Sequence, residues 1–450
     1  MAEHKRRIIW FCSTEIVANR PDALKRLRDE IGLTTIMPES PICHTSGFRA
    51  SDELAARGPF EDWRKRTDTW PKAAEGIYPP VAGVVGGFDD RELLRAIDVA
   101  HEAGIEVWGH LGMWSYGGEV FPEFAMRDVD GNPLGSRWHA WGTGLCPSHP
   151  VVDTWTADGL EDITHRYAVD GYCVDHARYP QPANLHALIA CACQHCCAAG
   201  EQLGFDADAL VTVARQARDA VRRIDGSVVS RALDSDLRGL DLLPALGVPR
   251  EFGTWLSMRA ALLAGRMAAY RGRVRSIRSE LPFGSDVFPP SIALAGGHDL
   301  VRWEEATDFI TGGTSAGGVV GWATGATNAA AVWARALVDD AEGVGERDAV
   351  ELALRLLNQD CGIELPRETE ALQSGDLPIA DLYAREVARL VAVTADRVPL
   401  YPPIAAGGPP EQVRQLAAAV REHKCHGSMI SIDPDNDASL QALRDGFGTS

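Results

Sequence analysis

The residues whose types and spacing point most directly to chemistry lie in segment 170–180, DGYCVDHARYP. A short apolar run here is typical of a strand, with Asp175 as its last residue and Arg178 three positions further on. A nearby guanidinium favours the ionised carboxylate and lowers its pKa, as a nucleophile or a stabiliser of positive charge requires. The same spacing also fits a salt bridge that only closes a loop, and spacing alone leaves both interpretations open.

A group of cysteines forms the second chemical feature. Cys191, Cys193, Cys196 and Cys197 lie within seven residues, together with His195. Thiolates and imidazole suit Zn²⁺, but structural zinc sites usually combine two separated ligand pairs. The second half would have to come from a distant residue such as Cys146 or Cys43, or from another chain. We therefore expect no metal ligand and no cofactor, and the role of the group stays open.

The elements that must position these residues follow from hydrophobic periodicity. Short apolar runs alternate with segments of helical period, beginning with a strand at 7–13 and a helix at 21–32. Eight strand candidates lie near residues 8, 34, 106, 172, 283, 309, 398 and 428. Strands that alternate with helices pair in parallel. This pattern predicts an α/β fold: a single (β/α)₈ TIM barrel over 1–450, with loop insertions at about 40–80 and 113–150. In such barrels the active site lies at the C-terminal ends of the strands.

The segment around Asp175 resembles the fourth-strand signature of glycoside-hydrolase-like barrels related to the alpha-amylase superfamily. Three further stretches are similar to those barrels: LCPSHP at 145–150, GTWLSMR at 253–259, and GSDVFPP at 284–290, which is followed by GHD at 297–299. The similarity runs in order over roughly residues 5–445. It implies a sugar substrate and a retaining or inverting glycosidase, with Asp175 as the fourth-strand nucleophile and Arg178 as its neighbouring arginine.

Glycoside hydrolysis needs a second carboxyl, kept protonated to assist the leaving oxygen. The resemblance implies a Glu on the fifth strand, whereas this chain has Asp286 there, so the identity of the acid stays open. The apolar neighbours Phe283, Val287 and Phe288 would raise the pKa of Asp286. Asp286 could instead be a structural residue hydrogen-bonded to a neighbouring strand. The other candidate acids are Glu15, Glu39 and Asp308.

Aromatic residues near the predicted strand ends favour a carbohydrate, because Trp and Tyr offer flat apolar faces with a polar atom at the edge. The residues predicted to bind substrate are Glu39, His110, Trp114, Trp141, His176, Arg178, Tyr179, Trp255 and Tyr401. Tyr116, Trp138 and His139 lie in the same insertion as Trp114 and Trp141. Any single member could instead be a packed core residue.

Composition excludes several other classes of protein. The chain has 450 residues, 45% of them hydrophobic, which is typical of a globular protein and not of a disordered or fibrous one. With 44 Lys and Arg against 63 Asp and Glu, its net charge is −19, which argues against binding to nucleic acid or an anionic membrane. The apolar run near the N-terminus is too short for a secretory signal. We expect a cytoplasmic protein with a small carbohydrate as its partner and, as one option, a homo-oligomer.

Two other functions remain alternatives at this stage. A metal-dependent TIM-barrel hydrolase or isomerase would need His, Asp and Glu ligands that converge at the barrel mouth. A non-catalytic carbohydrate-binding barrel would keep the aromatic residues without a second carboxyl. For a glycosidase, carboxyls about 5–5.5 Å apart would predict retention, and a separation of about 6.5–9.5 Å would predict inversion.

Overall fold

The computed structural model describes residues 6–39, 51–58, 90–114, 118, 121–134, 144–179, 188–312, 322–373 and 376–448. Its strands are β1 (Arg7–Ser13), β2 (Leu33–Glu39), β3 (Glu106–Gly112), β4 (Gly171–Asp175), β5 (Phe283–Asp286), β6 (Ile310–Thr311), β7 (Leu400–Tyr401), β8 (Pro403–Ala405) and β9 (Gly427–Ser431).

These strands form one sheet with the order β7-β6-β5-β4-β3-β2-β1-β9-β8, and every neighbouring pair is parallel. The two ends of this order, β7 and β8, are consecutive pieces of chain separated only by Pro402. Proline has no N–H to give to a strand ladder, which explains the break. The sheet therefore curls into a nearly closed barrel with eight positions, and the predicted (β/α)₈ barrel is confirmed.

Helices follow the strands and cover the barrel. They are α1 (Thr14–Asn19), α2 (Pro21–Ile31), α3 (Asp52–Arg57), α4 (Arg91–Glu102), α5 (Pro150–Arg166), α6 (Gln194–Gln202), α7 (Ala207–Val221), α8 (Gly226–Leu233), α9 (Phe252–Ile277), α10 (Pro290–Ala293), α11 (Leu300–Ala306), α12 (Gly325–Asp340), α13 (Glu346–Leu356), α14 (Ile379–Thr394), α15 (Pro410–Glu422) and α16 (Asp437–Phe447). Helix α2 shows why the sequence signals work. Pro21 occupies its first turn, and Gly32 ends it with φ 75°, in the left-handed region that glycine adopts without strain.

Side chains that point into the barrel recur at every second residue, as strand geometry requires. The inner core consists of Ile9, Phe11, Met37, Trp108, Cys173, Phe309, Tyr401 and Met429. Gly284 belongs to the same layer, since a Cβ there would lie 2.4 Å from the ring of Phe309. Two residues further along β3, β4 and β5 come His110, Asp175 and Asp286, so the interior becomes polar at its C-terminal end.

The long connections carry most of the structure outside the barrel. Of the insertion predicted at about 40–80, the described part is 51–58, which contains α3. The described part of the insertion at 113–150 includes antiparallel bridges from Ala125 to Leu145 and from Arg127 to Pro133. The chain between β4 and β5 holds α6 to α9, and that between β6 and β7 holds α12 to α14, an elaboration that the sequence analysis did not single out. None of the described helices is long and apolar enough to cross a membrane.

Candidate active site

Two carboxyls meet at the C-terminal ends of neighbouring strands. Asp175 ends β4 and Asp286 ends β5, and the parallel pairing of these strands brings the two residues side by side. The carboxyl groups lie close enough to share a hydrogen bond. Asp175 is nearly buried, with 6% of its surface exposed. Oδ1 of Asp286 is buried and has no donor partner among the described residues.

The surroundings drive the pKa values of the two carboxyls apart. Burial raises the pKa of Asp286 well above its usual range, and the neighbouring charge of Asp175 raises it further. For Asp175, burial acts in the same upward direction, but His176, His110, the hydrogen bond from Asp286 and Arg178 together outweigh it and lower the pKa. These directions favour a proton on Asp286 and a negative charge on Asp175. Pairs with opposed pKa shifts are the signature of acid and base assignments in active sites.

Two histidines contact the Asp175 carboxylate. His110 comes from the end of β3, with Nε2 3.6 Å from Oδ2 of Asp175, and burial lowers the pKa of its ring. His176 is the next residue in the chain, with Nε2 3.2 Å from Oδ1. Both residues were among the predicted substrate-binding positions, and the structure brings both to Asp175.

The backbone at His176 lies in an uncommon conformation. Its φ is 61°, in the left-handed region that a non-glycine residue enters only at a cost of about 1–3 kcal/mol. The turn that follows is closed by a 2.8 Å hydrogen bond from the Arg178 N–H to the carbonyl of His176. The carbonyl of Asp175 accepts a 3.0 Å hydrogen bond from the N–H of Met113, which ties the end of β4 to the end of β3. Backbone strain of this kind concentrates at functional sites.

The segment after Asp175 is held in place by Arg178 and by His298, a histidine to which the sequence analysis assigned no role. Arg178 is nearly buried, and its guanidinium lies 4.7 Å from the ring centroid of Phe288. Nδ1 of His298 accepts a 3.0 Å hydrogen bond from the Phe288 N–H, and its Nε2 donates to the carbonyl of Ala177 at 3.2 Å. Burial, followed by the charge of Arg178, lowers the pKa of His298 to about 3, so the ring stays neutral. In the sequence, His298 stands out only as part of the GHD stretch at 297–299, and its spacing does not predict which residue it contacts.

Three other predicted substrate-binding residues are fully buried in packed positions. Trp255 is fully buried in α9, and its Nε1 donates to the carbonyl of Leu188 at 2.8 Å, so it holds the connection after β4. Trp114 is also fully buried. Tyr179 packs its ring under the guanidinium of Arg259 at 4.2 Å. Burial closes these side chains to a sugar.

Tyr401 lies in the barrel interior, not at the mouth. Its ring packs 5.8 Å from that of Phe309 and 6.1 Å from that of Trp108. Its hydroxyl feels the charge of Arg7, the first residue of β1, so it faces the N-terminal end of the barrel. Burial raises the pKa of its hydroxyl.

The remaining predicted residues have different outcomes. Trp141 lies outside the described residues, together with Tyr116, Trp138 and His139, and Glu39 is described only as the last backbone position of β2. Asp308 faces the opposite end of the barrel, where it accepts hydrogen bonds from the N–H of Phe283 at 2.9 Å and from Arg275 at 2.7 Å. Glu15 lies in the first turn of α1 and is exposed. Of the candidate acids other than Asp286, neither Asp308 nor Glu15 contacts Asp175.

Two further features lie apart from the carboxyl pair. A cavity of about 710 Å³ opens between the helices inserted after β4 and β6 and is lined by apolar residues such as Leu256 and Trp333. Among the described residues, the group of side chains that could share a metal ion consists of four cysteines and includes neither Asp175 nor Asp286.

Comparison with known proteins identifies the fold. No protein-family model matches the sequence, and no curated protein matches it. The chain is similar to the solved PgaB (BpsB) glycoside hydrolase domain from Bordetella bronchiseptica, with 12% identity over 99% of both chains and a TM-score of 0.52. It is also similar to the catalytic domain of beta-amylase from Paenibacillus polymyxa, with 12% identity over 99% of this chain and 97% of that one and a TM-score of 0.50.

A third similar structure is the beta-galactosidase from Marinomonas ef1, with 10% identity and a TM-score of 0.52. The match covers 99% of this chain and 61% of that enzyme. Together these likenesses show that the chain has a barrel of the kind found in glycoside hydrolases. The narrower resemblance to the alpha-amylase superfamily stays a prediction.

Proposed function

We propose that the protein is a glycoside hydrolase in which Asp286 is the general acid and Asp175 is the carboxylate that stabilises the reacting sugar. The observation that carries this proposal is the pair of neighbouring carboxyls at the C-terminal ends of β4 and β5, with pKa values shifted in opposite directions. Glycosidic cleavage requires one protonated and one ionised carboxyl. The barrel fold, shared with glycoside hydrolases, agrees with this chemistry but does not by itself assign it.

The proposed reaction moves the Asp286 proton to the glycosidic oxygen. As the bond from that oxygen to the anomeric carbon breaks, positive charge develops on the sugar ring, and the ionised Asp175 is placed to stabilise it. Water then adds to the anomeric carbon and gives a proton to one of the two carboxylates, which restores the single proton of the pair. His176 and His110 flank the Asp175 carboxylate at 3.2 Å and 3.6 Å, while His298 and Arg178 hold the segment that follows.

The direct contact between the two carboxyls is shorter than both separations known for glycosidases, about 5–5.5 Å and about 6.5–9.5 Å. The glycosidic oxygen would have to replace Asp175 as the partner of the Asp286 proton, and binding would then separate the carboxyls. The anomer of the first-formed product, measured by NMR, reports which separation is reached in the complex.

The observations favour this proposal over the two alternatives. A metal-dependent barrel would need a set of ligands around the mouth, and the described group of possible ligands is the cysteine group instead. A silent sugar-binding barrel would not need a protonated carboxyl beside an ionised one, an arrangement that is costly to bury.

The test is to assay the wild type on a panel of aryl and natural glycosides, beside Asp175→Asn and Asp286→Asn. We expect each substitution to lower kcat by at least about 100-fold, the usual contribution of a catalytic carboxyl. The matched control is Asp308→Asn, which changes a hydrogen-bonded aspartate at the opposite end of the barrel and should keep kcat within a few-fold.

Leaving-group chemistry separates the two roles. A dinitrophenyl leaving group needs little protonation, so Asp286→Asn should lose much less rate on a dinitrophenyl glycoside than on an alkyl glycoside. Asp175→Asn should lose rate on both. The proposal is refuted if the wild type cleaves a glycoside and both Asn variants cleave it at the wild-type rate.

A further inference from the structure

Four cysteines from two separate connections meet beside the barrel. Cys146 lies in the connection between β3 and α5, and Cys191, Cys193 and Cys196 lie at the start of α6 in the connection after β4. Their four sulfur atoms all lie within 4.8 Å of one another. Sγ of Cys146 is 3.4 Å from Sγ of Cys193 and 3.5 Å from Sγ of Cys196. From this geometry we propose that the four cysteines, which we call the cysteine cluster, bind one structural Zn²⁺ ion.

The distances fit a shared ion. A tetrahedral zinc with Zn–S bonds of about 2.3 Å places its sulfurs about 3.8 Å apart. The separations in the cysteine cluster bracket that value, whereas a disulfide would need about 2.05 Å. Four thiolates close the coordination sphere and leave no open position for substrate, which is the arrangement of structural zinc sites.

Two backbone N–H groups donate to sulfur atoms of the cluster. The N–H of Arg127 donates to Sγ of Cys191 at 3.4 Å, and the N–H of Cys196 donates to Sγ of Cys193 at 3.5 Å. Hydrogen bonds of this kind fix the ligands and stabilise their negative charge. Cys193 is also the N-cap of α6, a helix of nine residues, so it lies at the positive end of the helix dipole.

A buried cation lies next to the cluster. Arg259 is fully buried in α9, and its charge interacts with the sulfurs of Cys191 and Cys196 and with Tyr179. A zinc ion with four thiolates has a net charge of −2, so a guanidinium beside it is partly neutralised, and a buried charge requires such a partner. A recess lined by Cys146, Cys193, His149 and His195 provides an entry path for the ion.

The ion would join the connection after β3 to the connection after β4. The latter begins with the segment Asp175–Tyr179, and Tyr179 packs against Arg259, so the cluster supports the candidate active site from outside it. No step of the proposed reaction passes through the metal, and the zinc proposal therefore stands or falls independently of the glycosidase proposal.

The test is elemental analysis of the purified full-length protein, with Cys196→Ser as the test variant. We expect one zinc ion per chain in the wild type and at least a tenfold loss in the variant. The matched control is Cys197→Ser: its sulfur donates to the carbonyl of Ala192 at 3.8 Å and lies outside the cluster. This control should keep one ion per chain.

A second measurement covers the case in which Cys196→Ser does not fold. The wild type is loaded with Co²⁺, whose absorption spectrum reports tetrahedral thiolate coordination, and X-ray absorption counts the sulfur ligands. Four sulfurs support the proposal. The proposal is overturned if the wild type binds no metal or if Cys196→Ser retains its zinc. It is also overturned if thiol titration of the denatured protein in chelator finds only six of the ten cysteines free, because the other four would then form two disulfides.

Discussion

Replacing Asp286 by Asn tests whether this carboxyl holds a proton in the native protein. Burial and the charge of Asp175 raise its pKa well above the usual value, so over a range of pH the native state keeps a proton that the unfolded state has lost. Because the native state binds one more proton at Asp286 there, the contribution of Asp286 to wild-type stability falls as pH rises, by about 1.4 kcal/mol per pH unit from about pH 4 up to the native pKa. Asn cannot ionise, and its amide still donates to Asp175.

The stability of Asp286→Asn relative to wild type should therefore rise with pH. Within that window the gain is about 1.4 kcal/mol for each pH unit. Urea unfolding followed by tryptophan fluorescence measures it. In an Asp175→Asn background, the stability gained by Asp286→Asn should level off at a lower pH. The reason is that the charge of Asp175, one cause of the raised pKa of Asp286, is gone while burial remains. A difference that does not change with pH would refute the shared proton.

Three further predictions concern the supporting structure. Gly284→Ala should lower the free energy of unfolding by about 1–3 kcal/mol, because the added Cβ overlaps the ring of Phe309. The control Gly272→Ala, at an exposed position of α9, should raise the free energy of unfolding by about 1 kcal/mol, and thermal melts measure both. As pH falls from about 6.5 towards 3, His298→Gln should lose less stability than wild type, by about 1.4 kcal/mol per pH unit in urea melts. The reason is that the depressed pKa of His298 lets the unfolded state, and not the native state, bind the extra proton. Equal losses in the two proteins would contradict a buried neutral His298. Tyr179→Phe should leave KM unchanged in steady-state assays, because Tyr179 is fully buried and closed to the substrate. A raised KM would place Tyr179 in contact with the sugar.

The strands of the barrel were accessible from the sequence because each is a short apolar run bounded by turn residues. The strand at Arg7–Ser13 and the eight barrel positions follow from that pattern alone. The break of the seventh position at Pro402 and the long helical insertions were not foreseen, since local periodicity does not report which helices lie outside the barrel.

The candidate site was predictable in part. Asp175 and Asp286 were identified from strand ends and apolar neighbours, but their direct contact depends on the register between β4 and β5, which a single sequence does not contain. Tyr401 was expected at the mouth because it ends a strand, but its hydroxyl turns towards Arg7 instead. Cys146 was named as a distant partner of the other cysteines, and only tertiary structure brings it to them.

The most direct measurement of the proposed role of the pair is a crystal structure of Asp286→Asn with an intact glycoside, chosen from those that the wild type cleaves. We predict that the amide of residue 286 lies within about 2.6–3.2 Å of the glycosidic oxygen and that the Asp175 carboxylate faces the anomeric carbon. A glycoside bound with its scissile bond away from both residues would contradict the proposal.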